Sequence, residues 1–296
     1  MKQMKWQVVD LTNFDGSVSA KTGWLHVGED KLPLANVGSI LIGPDCSWGH
    51  GVAHHAAEHD CSVVLCDWRG VPIATVLPFS ENSRVGARHR AQAQLSIPRQ
   101  KNAWARIVKA KVLGQSRVLD HIGSMASARL ETLSRLVRSG DPTNVEAQAA
   151  QIYWKSLFGD SSYRRIPGAR DFHNAVLNYG YTILRGRVIQ SIVAAGLSPS
   201  LGVFHRHRAN VFALADDLIE PFRPAVDALA VRIVNEGAES LDSETKRALV
   251  GVLETCWSRK GESLATAVLN LTQRYASYVE GEKDKLRVGA YLEAGK

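Results

Sequence analysis

The chain has 296 residues, of which 45% are hydrophobic and 22% charged, so it can bury the cores of two domains and is not a disordered or collagen-like polymer. Its longest uncharged stretch, between Arg187 and His205, is interrupted by glycine and proline, which excludes a membrane span of about 20 apolar residues. The net charge of +7 is uneven, because residues 1–80 hold 5 Lys and Arg against 8 Asp and Glu, whereas residues 81–296 hold 31 against 21.

The cysteines and the N-terminal residues bear on the cellular compartment. Four cysteines at irregular spacing are too few for a disulfide scaffold. The N-terminal lysines have no apolar run behind them, so we expect no secretory signal. We therefore expect a soluble, cytoplasmic protein.

The first 80 residues predict a small β domain. Short apolar or alternating runs rich in Val and Ile are separated by turn residues, as strands are, and one short helix is predicted at 50–59. The runs that predict strands are 6–11, 17–27, 38–43, 61–68 and 71–79.

Residues 39–67 read as strand, helix and strand, with glycines at Gly49 and Gly51. A dinucleotide-binding turn requires a third glycine, and His54 stands at that position. We therefore do not expect a nucleotide cofactor here.

A group of histidines and cysteines occupies the same segment. Zinc sites of this kind have a C-x-x-C knuckle or a flanking carboxylate motif, and neither is present, so we favour surface or interface histidines over a zinc site. The group is Cys46, His50, His54, His55, His59 and Cys61.

After Pro78 the pattern becomes helical, which predicts an α+β protein with a large helical domain over 81–296. Apolar residues spaced four and three apart form one stripe near the C-terminus: Leu264, Val268, Leu271, Tyr275 and Tyr278. From Arg84 to Arg117 there are nine basic residues and no acidic one, which favours a polyanionic partner over a solvated helix face. In this stretch we expect contacts to nucleic acid from Arg84, Arg88, Arg90, Arg99 and Lys101.

Glu146 lies on the apolar face of a predicted helix, because Ala149, Ala150 and Tyr153 follow it by three, four and seven residues. A carboxylate in such a place is costly unless it is paired or binds a cation. For Glu146 alone, a salt bridge to an arginine is the favoured interpretation.

A second acidic group follows a histidine further along the chain. Asp217 and Glu220 share one face of a predicted helix, beside a buried stripe of Val211, Leu214 and Leu218, and two neighbouring carboxylates repel unless a proton or metal holds them. If His205 and Glu220 were on one helix they would be about 22 Å apart, so the chain must turn between them. We place this turn at 206–210, with Asn210 as a candidate N-cap. Oxygen ligands suit Mg²⁺ or Mn²⁺, and an imidazole favours Mn²⁺.

Several segments together resemble the CRISPR-associated adaptation integrases and endonucleases (Cas one), most closely their type II branch. The matching segments are N-x-E-x-x-A-A-x-x-Y-W at 144–154, Leu-Phe-Gly at 157–159, Arg165, N-x-x-L-N-Y-G-Y at 174–181, Leu-Gly at 201–202 ahead of His205, and D-L-x-E-P-F-R-P at 217–224. These segments span about 80 residues. In this order and spacing they are highly specific.

The resemblance implies that Glu146, His205 and Glu220 are catalytic metal ligands, with Asp217 a further acidic candidate and Arg165 a further nucleic-acid contact. Type II relatives often have two adjacent histidines after the Leu-Gly dipeptide, whereas here Phe204 precedes His205. We prefer His205 to His207 as the ligand because of its spacing to Glu220.

The resemblance also implies fold and function. It implies an N-terminal β domain over 1–80 that dimerises and a helical, catalytic and DNA-binding domain over 81–296. We expect a homodimer built largely from residues 1–80, with a dimer of the small adaptation protein (Cas two) as partner. The type II effector is a further candidate partner. The expected reaction is insertion of captured double-stranded DNA into a CRISPR array by attack of a 3′-hydroxyl. The alternatives are a metal-dependent nuclease that uses water at the same site and a non-catalytic nucleic-acid-binding protein whose carboxylates are structural.

Overall fold

The computed structural model describes residues 7–59, 61–68, 72–76, 78, 84–258 and 261–291. It has an N-terminal region of β-sheet and a helical remainder, which confirms the mixed α and β class. The chain divides into two compact units, one of residues 1–92 with 189–198 and one of residues 93–188 with 199–296. The predicted domain boundary between residues 80 and 81 lies outside the described residues.

The first unit contains two four-stranded sheets. One has the strand order β1 (Gln7–Leu11), β5 (Val37–Ile42), β7 (Ser62–Cys66), β8 (Pro72–Val76). The other has the order β4 (Asp30–Pro33), β3 (Trp24–Val27), β2 (Gly16–Lys21), β6 (Cys46–Trp48). Helix α1 (His50–Glu58) lies between β6 and β7 in the chain.

Apolar side chains of both sheets and of α1 form the core of the first unit. Leu25 from β3, Ile40 from β5 and Ala56 from α1 are all fully buried in it. A second buried cluster is formed by Leu41, Val64, Cys66 and Val193. Burial along β5 and β7 is nearly continuous, which explains why short apolar runs rich in Val and Ile predict these strands.

Two strands, β4 and β6, were not predicted from the sequence. Strand β4 has the sequence Asp-Lys-Leu-Pro, which lacks the β-branched residues that signal a strand. It forms because Val27 pairs with Asp30 across a two-residue turn, which Gly28 permits with a φ of +58°. The predicted succession of strand, helix and strand over 39–67 is present, with β5 and β7 parallel.

The helices of the remaining chain are listed here in order. They are α2 (Val85–Ala93), α3 (Ile97–His121), α4 (Ser127–Leu136), α5 (Val145–Leu157), α6 (Phe172–Ala194), α7 (Ala213–Leu218), α8 (Arg223–Asn235), α9 (Ser243–Val250) and α10 (Leu264–Val279), with short 3-10 turns at Leu34–Asn36, Glu220–Phe222 and Gly251–Glu254. The described part of the chain has no helix both long and apolar enough to cross a membrane.

Helix α3 is the central element of the second unit. It packs against α4, α5, α8 and the turn at Glu220–Phe222, and its Ile107, Val108 and Leu119 are fully buried. The predicted apolar stripe of α10 is confirmed, because all five of its residues are buried. This packing brings α3, α5 and the Glu220 turn together at the candidate site.

Candidate active site

Glu146 lies in the first turn of α5, and capping groups fix the start of that helix. The N-cap is Asn144, whose side chain accepts a hydrogen bond from the backbone N–H of Ala147 at 3.4 Å. The Asp141 carboxylate accepts from the N–H groups of Val145 and Glu146 at 2.9 and 3.0 Å. These acceptors satisfy N–H groups that have no partner within the helix and set the position of Glu146.

Lys111 of α3 joins Glu146 to Glu220. Its Nζ lies 2.6 Å from Glu146 Oε1 and 2.5 Å from Glu220 Oε2. The three side chains are largely buried, with exposed fractions of 13% for Lys111, 26% for Glu146 and 8% for Glu220. Glu146 is therefore ion-paired, as the cost of a lone carboxylate requires, but to a lysine rather than to an arginine.

Two cations keep Glu220 ionised in this setting. Burial opposes its charge, but Arg223 and Lys111 outweigh burial and lower the pKa of Glu220 to about 2. The Nε of Arg223 donates to Glu220 Oε1 at 2.8 Å. Burial likewise opposes the charge of Lys111, yet the nearby Glu220 and Glu146 raise its pKa.

His205 is held by Asp217, which is fully buried at the end of α7. The Asp217 carboxylate accepts hydrogen bonds from the backbone N–H groups of Val203, Phe204 and His205. Its Oδ1 lies 2.7 Å from His205 Nδ1. This bond raises the pKa of His205 against the effect of partial burial, with a smaller contribution from the charge of Glu220.

Gly202 is required for the loop to close around Asp217. A Cβ at this position would lie 2.9 Å from Asp217 Oδ2 and would also clash with the carbonyl oxygen of His205. Asp217 therefore positions a loop and orients an imidazole, and Nε2 is the His205 nitrogen left to bind a further group.

The loop that precedes α7 agrees only in part with the prediction. The chain turns between His205 and α7, as expected, but α7 begins at Ala213 and Val211 is exposed. The prediction that Val211 belongs to a buried stripe is therefore wrong, because that residue precedes the helix. Asn210 is not the N-cap; its side chain accepts from the N–H of Phe212 and donates to Asp216.

The structure brings Glu146 and Glu220 together at Lys111, and His205 lies near enough to Glu220 for the charge of that carboxylate to raise its pKa. Since both carboxylates contact one Nζ, at 2.6 and 2.5 Å, their oxygens are no farther apart than the sum of these distances. His205, Glu146 and Glu220 do not form a set whose ligand atoms all lie within 4.8 Å. His207 is exposed, and its Nδ1 accepts from the N–H of Ala209 at 3.3 Å.

These residues fit a divalent cation by their chemistry. Two carboxylates already hold a positive charge between them, in the place that the Lys111 ammonium occupies. Glu220 Oε2 is buried and accepts no hydrogen bond of normal geometry from the described residues, so its contact with Lys111 is ionic. Carboxylate oxygens with one imidazole nitrogen are a donor set for Mg²⁺ or Mn²⁺.

A buried acidic network behind the site was missed by the sequence analysis, as was Lys111. Tyr153 donates to Asp227 Oδ2 at 2.8 Å, and Tyr181 donates to Oδ1. Arg223 stacks over the ring of Tyr181 at 4.5 Å. Burial raises the pKa of Asp227 to about 6, although both tyrosines oppose the shift. The available signal was Tyr153 on the same helix face as Glu146.

The structure shows hydrogen bonds within the fold for Arg88, Arg99 and Arg165, which belong to the predicted nucleic-acid contacts. Arg88 donates to the carbonyl of Ala195 at 2.6 Å, and Arg99 donates to the carbonyls of Tyr278 and Lys283. Arg165 donates to the side chains of Asn174 and Asn178 at 2.8 and 2.7 Å. The exposed members of the set are Arg84, Arg90 and Lys101.

Two histidines of α1, His50 and His54, are exposed, and His55 is half-buried. His54 and His55 both approach Glu58, at 3.6 and 2.8 Å. Among the described residues these three form the group whose ligand atoms all lie within 4.8 Å of one another. Glu58 therefore supplies a carboxylate beside these histidines that the sequence analysis did not consider.

The fold and the site define a class: an α+β protein of two units in which two largely buried carboxylates hold a cation, here the Lys111 ammonium. Residues 15–253 match the family model described as CRISPR associated protein Cas1. The chain is 36% identical over 240 residues to the CRISPR-associated endonuclease Cas1 of Neisseria meningitidis serogroup C (strain 8013), covering 79% of this chain and 78% of that protein. The chain belongs to the Cas1 family.

Solved structures show the same fold. A casposase bound to integration product has a TM-score of 0.74 at 20% identity, over 96% of this chain and 97% of the casposase chain. A chain of a partial Cas6-RT-Cas1–Cas2 complex has a TM-score of 0.74 at 18% identity, over 97% of this chain and 99% of that chain. At these identities the likeness concerns the fold.

Proposed function

We propose that this Cas1 family member is a metal-dependent DNA integrase of CRISPR adaptation, which inserts captured DNA into a CRISPR array. The observation that carries the proposal is the convergence of Glu146 and Glu220 on one cation, beside a histidine that Asp217 orients. The likeness to a casposase bound to integration product is consistent with it at the level of the fold.

The reaction is a transesterification. The 3′-oxygen of the captured DNA forms a new bond to a target phosphorus, and the bond to the target strand's own 3′-oxygen breaks. A bound Mg²⁺ or Mn²⁺ would stabilise the negative charge that develops on the phosphate oxygens.

Each side chain of the site has its own role in binding that cation. Glu146, Glu220 and His205 Nε2 would hold it, and Asp217 fixes the imidazole through Nδ1. Arg223 keeps Glu220 in its ionised form. Lys111 neutralises the two carboxylates, and its ammonium would have to withdraw for a metal ion to take its place.

A hydrolytic reaction at the same site is a second candidate, because the relative from Neisseria meningitidis is named an endonuclease. Water would then replace the 3′-hydroxyl as the attacking group. A protein whose carboxylates are only structural is the third candidate, and the buried ion pairs alone are compatible with it.

The proposal includes an assembly. We propose a homodimer formed largely through residues 1–80, a Cas2 dimer as partner, and double-stranded DNA as substrate. The likeness to a chain of a Cas1–Cas2 complex is consistent with this assembly, as is the acidic balance of residues 1–80 against the basic balance of the rest. Light scattering on a fragment of residues 81–296 tests the dimer, since a fragment that dimerises with unchanged affinity would contradict it.

An integration assay tests the reaction itself. It combines the full chain, its Cas2 partner, a supercoiled plasmid with a CRISPR repeat, Mn²⁺ and end-labelled DNA. We expect label to join the plasmid, and joining to be lost with a 3′-dideoxy end and in Glu146→Ala. The matched control is Glu131→Ala, because Glu131 is an exposed partner of Arg135 on α4.

The outcomes separate the three candidates. Plasmid cleavage that survives the 3′-dideoxy end, with no joined label, would establish the nuclease instead. Binding without joining or cleavage in every metal would establish the non-catalytic protein.

A further inference from the structure

Next to the candidate site, a buried tryptophan stacks on an exposed phenylalanine. The rings of Trp104 and Phe204 are stacked with centroids 4.3 Å apart and an angle of 2° between their planes. Trp104 is buried at 3% exposure, whereas Phe204 is 51% exposed. Trp104 therefore covers one face of the Phe204 ring, and the exposure of Phe204 comes from the rest of the ring.

A buried carboxylate anchors the backbone of Phe204. Its backbone N–H donates to the buried Asp217 carboxylate at 3.0 Å, in the same loop that fixes His205. The ring centroid of His205 lies 5.6 Å from that of Phe204 and 6.0 Å from that of Trp104. The exposed ring is thus a fixed neighbour of a proposed metal ligand.

The aromatic pair lines a cavity of about 330 Å³, which is large enough for a small ligand. Its lining residues are Ile97, Gln100, Lys101, Trp104, Gly140, Val203, Phe204 and Arg206. Two of these eight are cations, none is acidic, and Ile97 is 60% exposed. The cavity lining therefore combines apolar and aromatic side chains with two cations.

The position of the two cations suits a phosphate chain. The Arg206 guanidinium contacts the side-chain oxygen of Gln100, which lies one residue before Lys101 on α3. Lys101 is exposed, and its stem passes beneath Gly140, where an added Cβ would lie 3.1 Å from Lys101 Cγ. Both cations thus belong to the cavity that the Phe204 ring lines.

We infer that Phe204, backed by Trp104, is a stacking seat for an unpaired nucleobase of the DNA strand that enters the site, with Lys101 and Arg206 facing its phosphates. Proteins bind single strands by this combination of an aromatic platform and a basic groove. The inference rests on the proposed function, because it assumes that DNA is the ligand. It assigns Phe204 a positioning role for the strand end.

The test uses the full chain and short DNA duplexes with a single-stranded 3′ tail that carries 2-aminopurine at successive positions. The fluorescence of this base falls when it stacks on an aromatic ring. We expect quenching at one tail position in the unmodified protein and its loss in Phe204→Ala. Affinity for tailed DNA, measured separately by anisotropy, should weaken roughly tenfold in that variant, and affinity for blunt duplex should not change.

Further variants separate stacking from folding. Phe204→Trp should keep the quenching, whereas Phe204→Leu, which still covers Trp104 with an apolar side chain, should lose it. The matched control is Val211→Ala, because Val211 is also an exposed apolar residue of this loop, at 60% exposure. Thermal unfolding of each variant shows whether the fold is intact.

Three results would overturn the inference. Tailed DNA that binds with no quenched position would leave DNA binding in place but remove the stacking seat. Equal affinity of Phe204→Leu and the unmodified protein would show that an aromatic ring is not needed. Loss of Cas2 binding in Phe204→Ala, with quenching unchanged, would make this surface a protein contact. If no DNA binds at all, the proposed function fails as well.

Discussion

Replacing Lys111 with Met should uncover the repulsion between Glu146 and Glu220. The ammonium lies 2.6 and 2.5 Å from the two carboxylates and is only 13% exposed. Removing one partner of a buried ion pair costs about 3–5 kcal/mol, because the remaining charge stays buried and unpaired. For a unit of this size, that corresponds to a fall in Tm of roughly 10 °C.

Added Mn²⁺ should reverse this loss, because a divalent cation can take the place of the ammonium. We therefore expect a larger rise in Tm with Mn²⁺ in Lys111→Met than in the unmodified chain, measured by calorimetry in metal-free buffer and then with Mn²⁺. The matched control is Lys109→Met, an exposed lysine of the same helix, which should behave like the unmodified protein. Equal stability of the two variants, or no added gain with Mn²⁺, would refute the role of Lys111.

Three further predictions concern the groups around the site. Burial raises the pKa of Asp227 to about 6, so the folded chain binds more protons than the unfolded chain between about pH 4 and 6, and the free energy of unfolding should fall as pH rises through that window. Denaturant titrations at several pH values should show that Asp227→Asn removes about 2–3 kcal/mol of this pH dependence. Gly202→Ala should abolish DNA joining and lower Tm, because its Cβ would meet Asp217 and the His205 carbonyl; unchanged joining would contradict the positioning of His205 by this loop. Neutralising Arg90 and Lys101 together should flatten the salt dependence of DNA binding by up to about two units, whereas Arg99→Ala should mainly lower stability, since its guanidinium donates to backbone carbonyls.

The sequence drew attention to Glu146 because a carboxylate on an apolar helix face is unusual, and to Glu220 because it follows Asp217 at helical spacing. Their assignment as metal ligands came from the resemblance to the Cas1 family. The sequence did not identify Lys111, since one lysine within a basic stretch looks like its exposed neighbours. Only the packing of α3 against α5 and the Glu220 turn shows that this lysine points inward. Sequence patterns report the period of a helix face and not the partner that the face meets.

The role of Asp217 was likewise beyond the sequence. It was predicted as a further acidic candidate. In the structure its carboxylate accepts hydrogen bonds from the backbone N–H groups of residues 203–205 and lies within hydrogen-bond distance of His205 Nδ1. Backbone donors have no signature in the side-chain pattern, so a loop that folds around a carboxylate is not predicted. For the same reason, the carbonyl partners of Arg88 and Arg99 were not foreseen.

The strands of the first unit were predicted where apolar residues rich in Val and Ile form a short run, and missed where pairing alone creates the strand. Most positions of β5 and β7 are buried, whereas β4 depends on its hairpin with β3. Strand propensity describes how a side chain fits a half-buried surface. It therefore fails for a short polar edge strand.

Anomalous diffraction at the manganese edge, from crystals grown with Mn²⁺, tests most directly whether Glu146, Glu220 and His205 share one cation. We expect a peak bounded by these three side chains, with His205 bound through Nε2 and Lys111 Nζ moved away from both carboxylates. A structure with Lys111 still between Glu146 and Glu220, and manganese found only elsewhere, such as at His54, His55 and Glu58, would contradict the proposed metal site.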